Sequence, residues 1–174
     1  MLLVDCVLSL DIGGTSIKYG LVDNDGELVY KSKCPSEAHK GAEFLMYNVK
    51  RVIKETIQHN QDTNILGIGI ASAGQINCTN GNVIFATPNI PGYTSMDLKG
   101  IIETEFGMRT CVENDVNAVA IGEAWKGSGI GKHKILCVSI GTGIGGCIMF
   151  DGKVEYGTIG SAGEIGHIII NYNG

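Results

Sequence analysis

The feature that most constrains this chain is a unit it carries twice. Leu8-Ser9-Leu10-Asp11-Ile12-Gly13 is echoed by Cys137-Val138-Ser139-Ile140-Gly141. In each copy an apolar run ends in a glycine cluster, a second run follows, and an aspartate-containing turn leads to a third. The clusters are Gly13-Gly14-Thr15 and Gly141-Thr142-Gly143-Ile144-Gly145-Gly146. A copy recurring after about 128 residues points to two similar lobes facing each other. With 174 residues, 44% of them hydrophobic, the chain has material for one good core or two small lobes.

The rest of the pattern alternates strands with helices. A near-continuous apolar run at Val4–Asp11 reads as a strand buried on both faces. Strands follow at 17–22 and 27–32, joined by the hairpin signal Asp23-Asn24-Asp25-Gly26. Leu45, Val49, Val52, Ile53 and Ile57 form a helical stripe within 42–60. A buried strand is expected at 65–71, a small hairpin around Asn80-Gly81, and a loop at 87–92, where Pro88 and Pro91 interrupt any ladder. Leu98, Ile101, Ile102 and Phe106 mark a second helix, with Asp97 and Gly107 as its end signals. A strand at 110–113, a helix at 116–126 and a glycine-rich link at 127–131 precede the second copy of the repeat. A strand at 135–140 is then followed by a hairpin at 147–156. After His167 one more apolar strand is expected. The boundary between lobes is placed at 126/127. A second lobe matching the first would need roughly a hundred more residues, so the chain reads as a fragment.

A strand, a glycine turn and a return strand present consecutive main-chain N–H groups, which bind anions and phosphate above all. Glycine is needed where a side chain would hold a phosphate away. Asp11, just before the first turn, suits a hydrated Mg2+ that bridges nucleotide phosphates. Thr15 adds a hydroxyl donor. Ordinary tight turns remain the competing reading of either cluster alone; their equivalent places in a repeat favour phosphate. Gly141, Gly143 and Gly146 also match the dinucleotide fingerprint, but that motif needs a helix next, and 147–153 reads as a hairpin. No Gly-Lys-Ser/Thr triplet occurs, which excludes a P-loop. Asn114-Asp115 stands where a strand ends and a helix begins. Such a carboxylate either accepts a proton in catalysis or caps the helix.

Other classes fit poorly. Net charge is −5, and there is no Lys/Arg run for nucleic acid or an anionic membrane. No stretch is long enough to span a bilayer. A signal peptide is not expected, because the start lacks a basic region and Asp5 breaks its apolar run. The six cysteines are scattered without a C-x-x-C pair and read as reduced thiols of a cytoplasmic protein.

Four segments together resemble the ROK sugar kinases, a family of the actin-like ATPase fold: Asp11-Ile12-Gly13-Gly14-Thr15, Glu113-Asn114-Asp115-Val116-Asn117-Ala118, Ile140-Gly141-Thr142-Gly143-Ile144-Gly145-Gly146, and Gly163-Glu164-Ile165-Gly166-His167. The resemblance runs over essentially the whole chain in order. It implies an α/β, ribonuclease H-like domain with a mixed sheet flanked by helices, followed by the start of a second similar lobe. It implies ATP with Mg2+, held by Asp11, Gly13, Gly14, Thr15 and Lys18 at one turn and by Gly141, Thr142, Gly143, Gly145 and Gly146 at the other. Asp115 matches the family's base. Gly74, Asn89, Asn114, Asp115, Glu164 and His167 match its sugar pocket. In many members the histidine equivalent to His167 also binds structural Zn2+ with three later cysteines, which would lie beyond Gly174.

The activity so implied is ATP-dependent phosphorylation of a hexose at its 6-hydroxyl, with glucose first and N-acetylmannosamine, N-acetylglucosamine or a β-glucoside as alternatives. A homodimer is implied at full length, and no nucleic-acid or membrane partner. The family's adenine-binding segment falls outside these residues, so this piece alone is expected to be inactive. A non-catalytic sugar sensor is the alternative of another class.

Overall fold

The structure, a computed structural model, describes residues 3–141 and 143–171. The chain divides into two compact units, Met1–Asp115 and Val116–Gly174. In chain order the first contains β1 (Val4–Ile12), β2 (Ser16–Asp23), β3 (Leu28–Pro35), α1 (Ala42–His59), β4 (Thr63–Ser72), β5 (Gln75–Asn77), β6 (Asn82–Phe85), α2 (Leu98–Phe106) and β7 (Thr110–Asn114). Then come α3 (Asp115–Lys126), β8 (Lys134–Ile140), β9 (Ile144–Phe150) and β10 (Lys153–Val154).

Five strands of the first unit form one mixed sheet in the order β3-β2-β1-β4-β7. β1 pairs antiparallel with β2 and parallel with β4, which in turn pairs parallel with β7. Alternation along β1 is clear: Cys6, Leu8, Leu10 and Ile12 are buried, while Val7, Ser9 and Asp11 face the other way and are less covered. The buried face joins Ile68, Ile70 and Val112 to the stripe Leu45, Val49, Val52 and Ile53 of α1 and to Leu98 and Ile102 of α2. Each such side chain contributes about 1.5–3 kcal/mol by leaving water. The expectation that β1 is buried on both faces is corrected: only the face toward α1 and α2 is buried, and Val7, Ser9 and Asp11 on the other face are less covered.

Local signals end the elements where the sequence placed them. The Asp97 side chain accepts a hydrogen bond from the Gly100 N–H at 2.8 Å and caps α2. Gly107 closes the helix at φ 63°, a left-handed conformation that glycine adopts without strain. The 23–26 turn carries the Gly26 N–H to the Asp23 carbonyl at 3.0 Å.

The second unit repeats the opening of the first. Its sheet has the order β10-β9-β8, all antiparallel. Its core is small: Ala120, Cys147 and Met149, with Val116, Ala124, Ile135, Cys137 and Val154 around them. Two differences from the sequence reading emerge. The division falls at 115/116 rather than 126/127, because α3 gives Ala120 and Ala124 to the core of β8 and β9. The strand expected after His167 does not form among the described residues: Ile168, Ile169 and Ile170 stay exposed and outside any ladder. Apolar β-branched residues make a strand only where a neighbour supplies the hydrogen bonds.

Under the first sheet, the Tyr93 hydroxyl meets Ser72 Oγ at 2.7 Å, and Ser72 Oγ donates to the Ala73 carbonyl at 3.1 Å. Burial pushes the Tyr93 phenol up to about 12, against the opposing effect of the Ser72 hydrogen bond. In the unfolded chain this phenol ionises near 10. Its contribution to stability is therefore complete below pH 10 and is lost as pH rises from there through 12. Tyr93→Phe is expected to lower stability at neutral pH by about 1 kcal/mol and to flatten the alkaline fall, as urea titrations across pH 8–11.5 would measure.

Candidate functional site

The parallel strands of the first unit end level with one another. Ile12, Ser72 and Asn114 stand in register across β1, β4 and β7, and Asp11, Ala71 and Glu113 form the row before them. The segments that leave these strands, Gly13-Gly14-Thr15, Ala73-Gly74 and Asp115, depart from one sheet edge. Neighbouring strands lie about 4.8 Å apart, so the three departures fall within roughly 10 Å. The carboxyl edge of parallel strands is where α/β proteins place ligands.

At the first departure, the Gly13 N–H donates to the Ser16 carbonyl at 3.0 Å and closes the turn. The Ser36 N–H donates to the Thr15 carbonyl at 3.0 Å and ties the turn to the end of β3. Gly14 and Thr15 are exposed. A Cβ on Gly14 would meet nothing within 4 Å, and its φ is not left-handed, so neither packing nor backbone strain explains a glycine there. Asp11 faces Lys18 across the β1–β2 ladder, and Lys18 Nζ lies 2.9 Å from Asp11 Oδ2. That hydrogen bond and the carboxylate charge raise the Lys18 pKa. The Asp11 carboxylate is partly exposed. A single accessible carboxylate beside a bare glycine turn fits a hydrated Mg2+, which takes one or two carboxylates and keeps several waters.

At the other two departures the geometry is tighter. Gly74 has φ 99°, and a Cβ there would sit 2.7 Å from the Phe85 carbonyl oxygen. The Asn114 side-chain amide donates to the Gly74 carbonyl at 3.0 Å and to Asp115 Oδ1 at 3.0 Å. The Asn114 main-chain N–H donates to Glu113 Oε1 at 2.8 Å. Asp115 opens α3, where the helix dipole favours a negative charge. Asn89 is exposed on the loop between β6 and α2. Sequence reasoning gave Glu113 no role beyond its place in the 113–118 motif, and gave Ser72 and Tyr93 no part in this region. The polar run Glu113-Asn114-Asp115 at a strand end was the available signal for Glu113; the contact between Ser72 and Tyr93 spans 21 residues and left none.

In the second unit the Gly141 N–H donates to the Gly143 carbonyl at 2.9 Å, and a Cβ on either glycine would meet nothing within 4 Å. Thr142 lies outside the described residues. Gly145 and Gly146 belong to β9, opposite Ser139 and Val138. A Cβ on Gly145 would strike Val116 at 2.5 Å, and one on Gly146 the Gly163 carbonyl oxygen at 2.5 Å. Packing thus accounts for these two glycines. Gly163 and Gly166 likewise press onto β9, at the carbonyls of Gly146 and Ile144. That contact holds Glu164 and His167 at the start of β9, with His167 Nε2 3.8 Å from Glu164 Oε2. No group of three His, Cys, Asp or Glu side chains gathers among the described residues, so His167 alone does not make a zinc site.

The open and the packed glycines should separate by experiment. Gly14→Ala is expected to leave stability unchanged or raise it by up to about 1 kcal/mol. Gly163→Ala, whose Cβ would fall 2.4 Å from the Gly146 carbonyl oxygen, should lower it by about 1–3 kcal/mol. Urea denaturation of the 174-residue chain would read both.

The ROK family profile matches residues 7–174. A glucokinase of Halalkalibacterium halodurans is 34% identical over 165 residues, covering 94% of this chain and 49% of that protein. The crystal structure of a ROK family glucokinase from Streptomyces griseus, in complex with glucose and AMPPNP, superposes with a TM-score of 0.83 at 32% identity, covering 97% of this chain and 52% of that one. A ROK family transcriptional regulator, a homologue of the E. coli MLC protein, superposes with a TM-score of 0.86 at 25% identity, over 99% of this chain and 43% of its own. The chain thus spans about half the length of the relatives it matches. With the duplicated strand–turn–strand units, the mixed five-stranded sheet and a family match over nearly its whole length, the chain belongs to the ROK family and has its actin-like ATPase fold.

Proposed function

We propose that this chain supplies the phosphate-holding turns and the catalytic base of an ATP-dependent hexose kinase. One observation carries the reading. Gly14 and Gly141 occupy equivalent turns of the repeat, and nothing within the described protein requires them to be glycine. A ligand approaching the main chain closely does require it. The glucokinases among the relatives support glucose as the acceptor.

In this reading the main-chain N–H groups of Gly14, Thr15 and Gly143 bind the β- and γ-phosphates of ATP, the Gly13 and Gly141 N–H groups close their turns on the Ser16 and Gly143 carbonyls, and the Thr15 and Thr142 hydroxyls add donors. Lys18 turns from Asp11 toward the phosphates. Asp11 is the residue that would hold a Mg2+ ion, which would supply positive charge against the phosphates. Asn89, Asn114, Glu164 and His167 orient the sugar against the wall formed at Gly74. The sugar 6-hydroxyl oxygen attacks the γ-phosphorus, the bond to the β–γ bridging oxygen breaks, and Asp115 takes the hydroxyl proton. The products are hexose 6-phosphate and ADP. The enzyme is read as cytoplasmic and, at the length of its relatives, homodimeric.

A sugar-responsive regulator is the second reading, favoured by the likeness to the MLC homologue. It would retain sugar binding without ADP release, and it has no use for a metal-holding carboxylate at Asp11 or for a proton acceptor at Asp115. The deciding assay measures ADP release by a chain of the relatives' full length against glucose, N-acetylmannosamine, N-acetylglucosamine and a β-glucoside. Turnover with at least one is expected, and Asp115→Asn should reduce it by about 10²–10⁴-fold while the protein stays folded. Sugar binding with no turnover would establish the regulator. The 174-residue chain alone is expected to release no ADP in the same assay.

A further inference from the structure

We propose that Asn114 is a positioning residue: its amide aims the Asp115 carboxylate by tying it to the Gly74 carbonyl. The inference rests on Asp115 being the base. An amide NH2 has two N–H bonds to give. Both go to protein acceptors here, one to the Gly74 carbonyl and one to Asp115 Oδ1, each at 3.0 Å. The nitrogen end of Asn114 is therefore committed to orienting its neighbour.

The anchor at the far end is stiff. Gly74 sits at φ 99°, a conformation that strains any residue with a side chain, and the Phe85 carbonyl closes off the Cβ position at 2.7 Å. Ser72, two residues before it, is fully buried and fixes the preceding turn through the Ala73 carbonyl and the Tyr93 hydroxyl. Asn114 stands beside Ser72 in the β4–β7 register, so its side chain meets this turn with little freedom. The direction of the carboxylate is thus inherited from β4 and does not depend only on the first turn of α3. A general base acts only within hydrogen-bond reach of the proton it takes, and a misplacement of about 1 Å lowers rate by about 10²-fold.

The test uses a chain of the relatives' full length with Asn114→Ala, Asn114→Asp, Gly74→Ala, the double Gly74→Ala/Asn114→Ala, and Asp115→Asn as reference. Asn114→Asp keeps the size but sets a carboxylate against two acceptor oxygens. Both Asn114 variants are expected to lose about 10–100-fold in kcat with KM for ATP within about twofold of the parent. The double variant should be no slower than the slower single, because both changes break one chain of contacts. If Asn114→Ala keeps kcat and raises only the sugar KM, Asn114 serves as a sugar contact alone and the positioning role is overturned. Multiplying effects of Gly74→Ala and Asn114→Ala overturn it too. If Asp115→Asn itself keeps its rate, the base assignment fails and this inference goes with it, an outcome distinct from the other two. Should Asn114→Ala fail to fold, Asn114→Ser, which is shorter and still polar, is read by the same split between kcat and KM.

Discussion

Parallel pairing of β1 with β4, and of β4 with β7, is the constraint on which the first unit depends. Two antiparallel strands can be joined by a two-residue turn, but a parallel pair needs a long return path. Here β2, β3 and α1 make the first return, and α2 lies on the second. These excursions cover one face of the sheet and build its core. The same pairing brings three strand ends level, and that places Asp11, Gly74 and Asp115 along one edge. Stability and placement of the polar groups thus come from one arrangement.

Polar contacts at that edge divide into two kinds. Some hold the protein to itself: Ser36 to the Thr15 carbonyl, Ser72 to Tyr93, Asn114 to Gly74. Others expose groups with chemistry to offer, such as the Asp11 carboxylate with its lysine and the bare turn at Gly14. The first kind is partly or fully buried, and the second is open to solvent. The phosphate site proposed for this edge needs that division, since amides that wander cost ordering entropy when the anion binds.

Much of this was legible in the sequence. Doubling of the strand–glycine–strand unit identified both sheets, and Asp97 and Gly107 marked α2 because capping is a local event. Asp11 and Asp115 stood out because a carboxylate at a strand end is a local pattern as well. What sequence could not separate was glycine needed for packing from glycine that packing does not require. Gly145 and Gly146 looked like loop members and are strand residues pressed by Val116 and Gly163, contacts that span 29 and 17 positions. Helix α3 seemed to close the first lobe, yet its alanines serve the second core, because composition says that a helix has an apolar side and not which sheet will receive it. The Asn114 amide was anticipated as a sugar contact; that its nitrogen faces Gly74 and Asp115 depends on how β4 and β7 align.

Strand β8 carries a practical consequence. Among the described residues its ladder runs only to β9, and Leu136, Val138 and Ile140 project from the face opposite Ile135 and Cys137. Ile140 is 82% exposed. An unpaired backbone edge flanked by branched aliphatics is a template that recruits any extended chain nearby. Anyone preparing this chain should expect turbidity to climb with protein concentration and with warming, as exposed apolar surface grows stickier with heat. Co-expression with a chain that docks along β8, or a lysine placed at position 138, is the direct remedy.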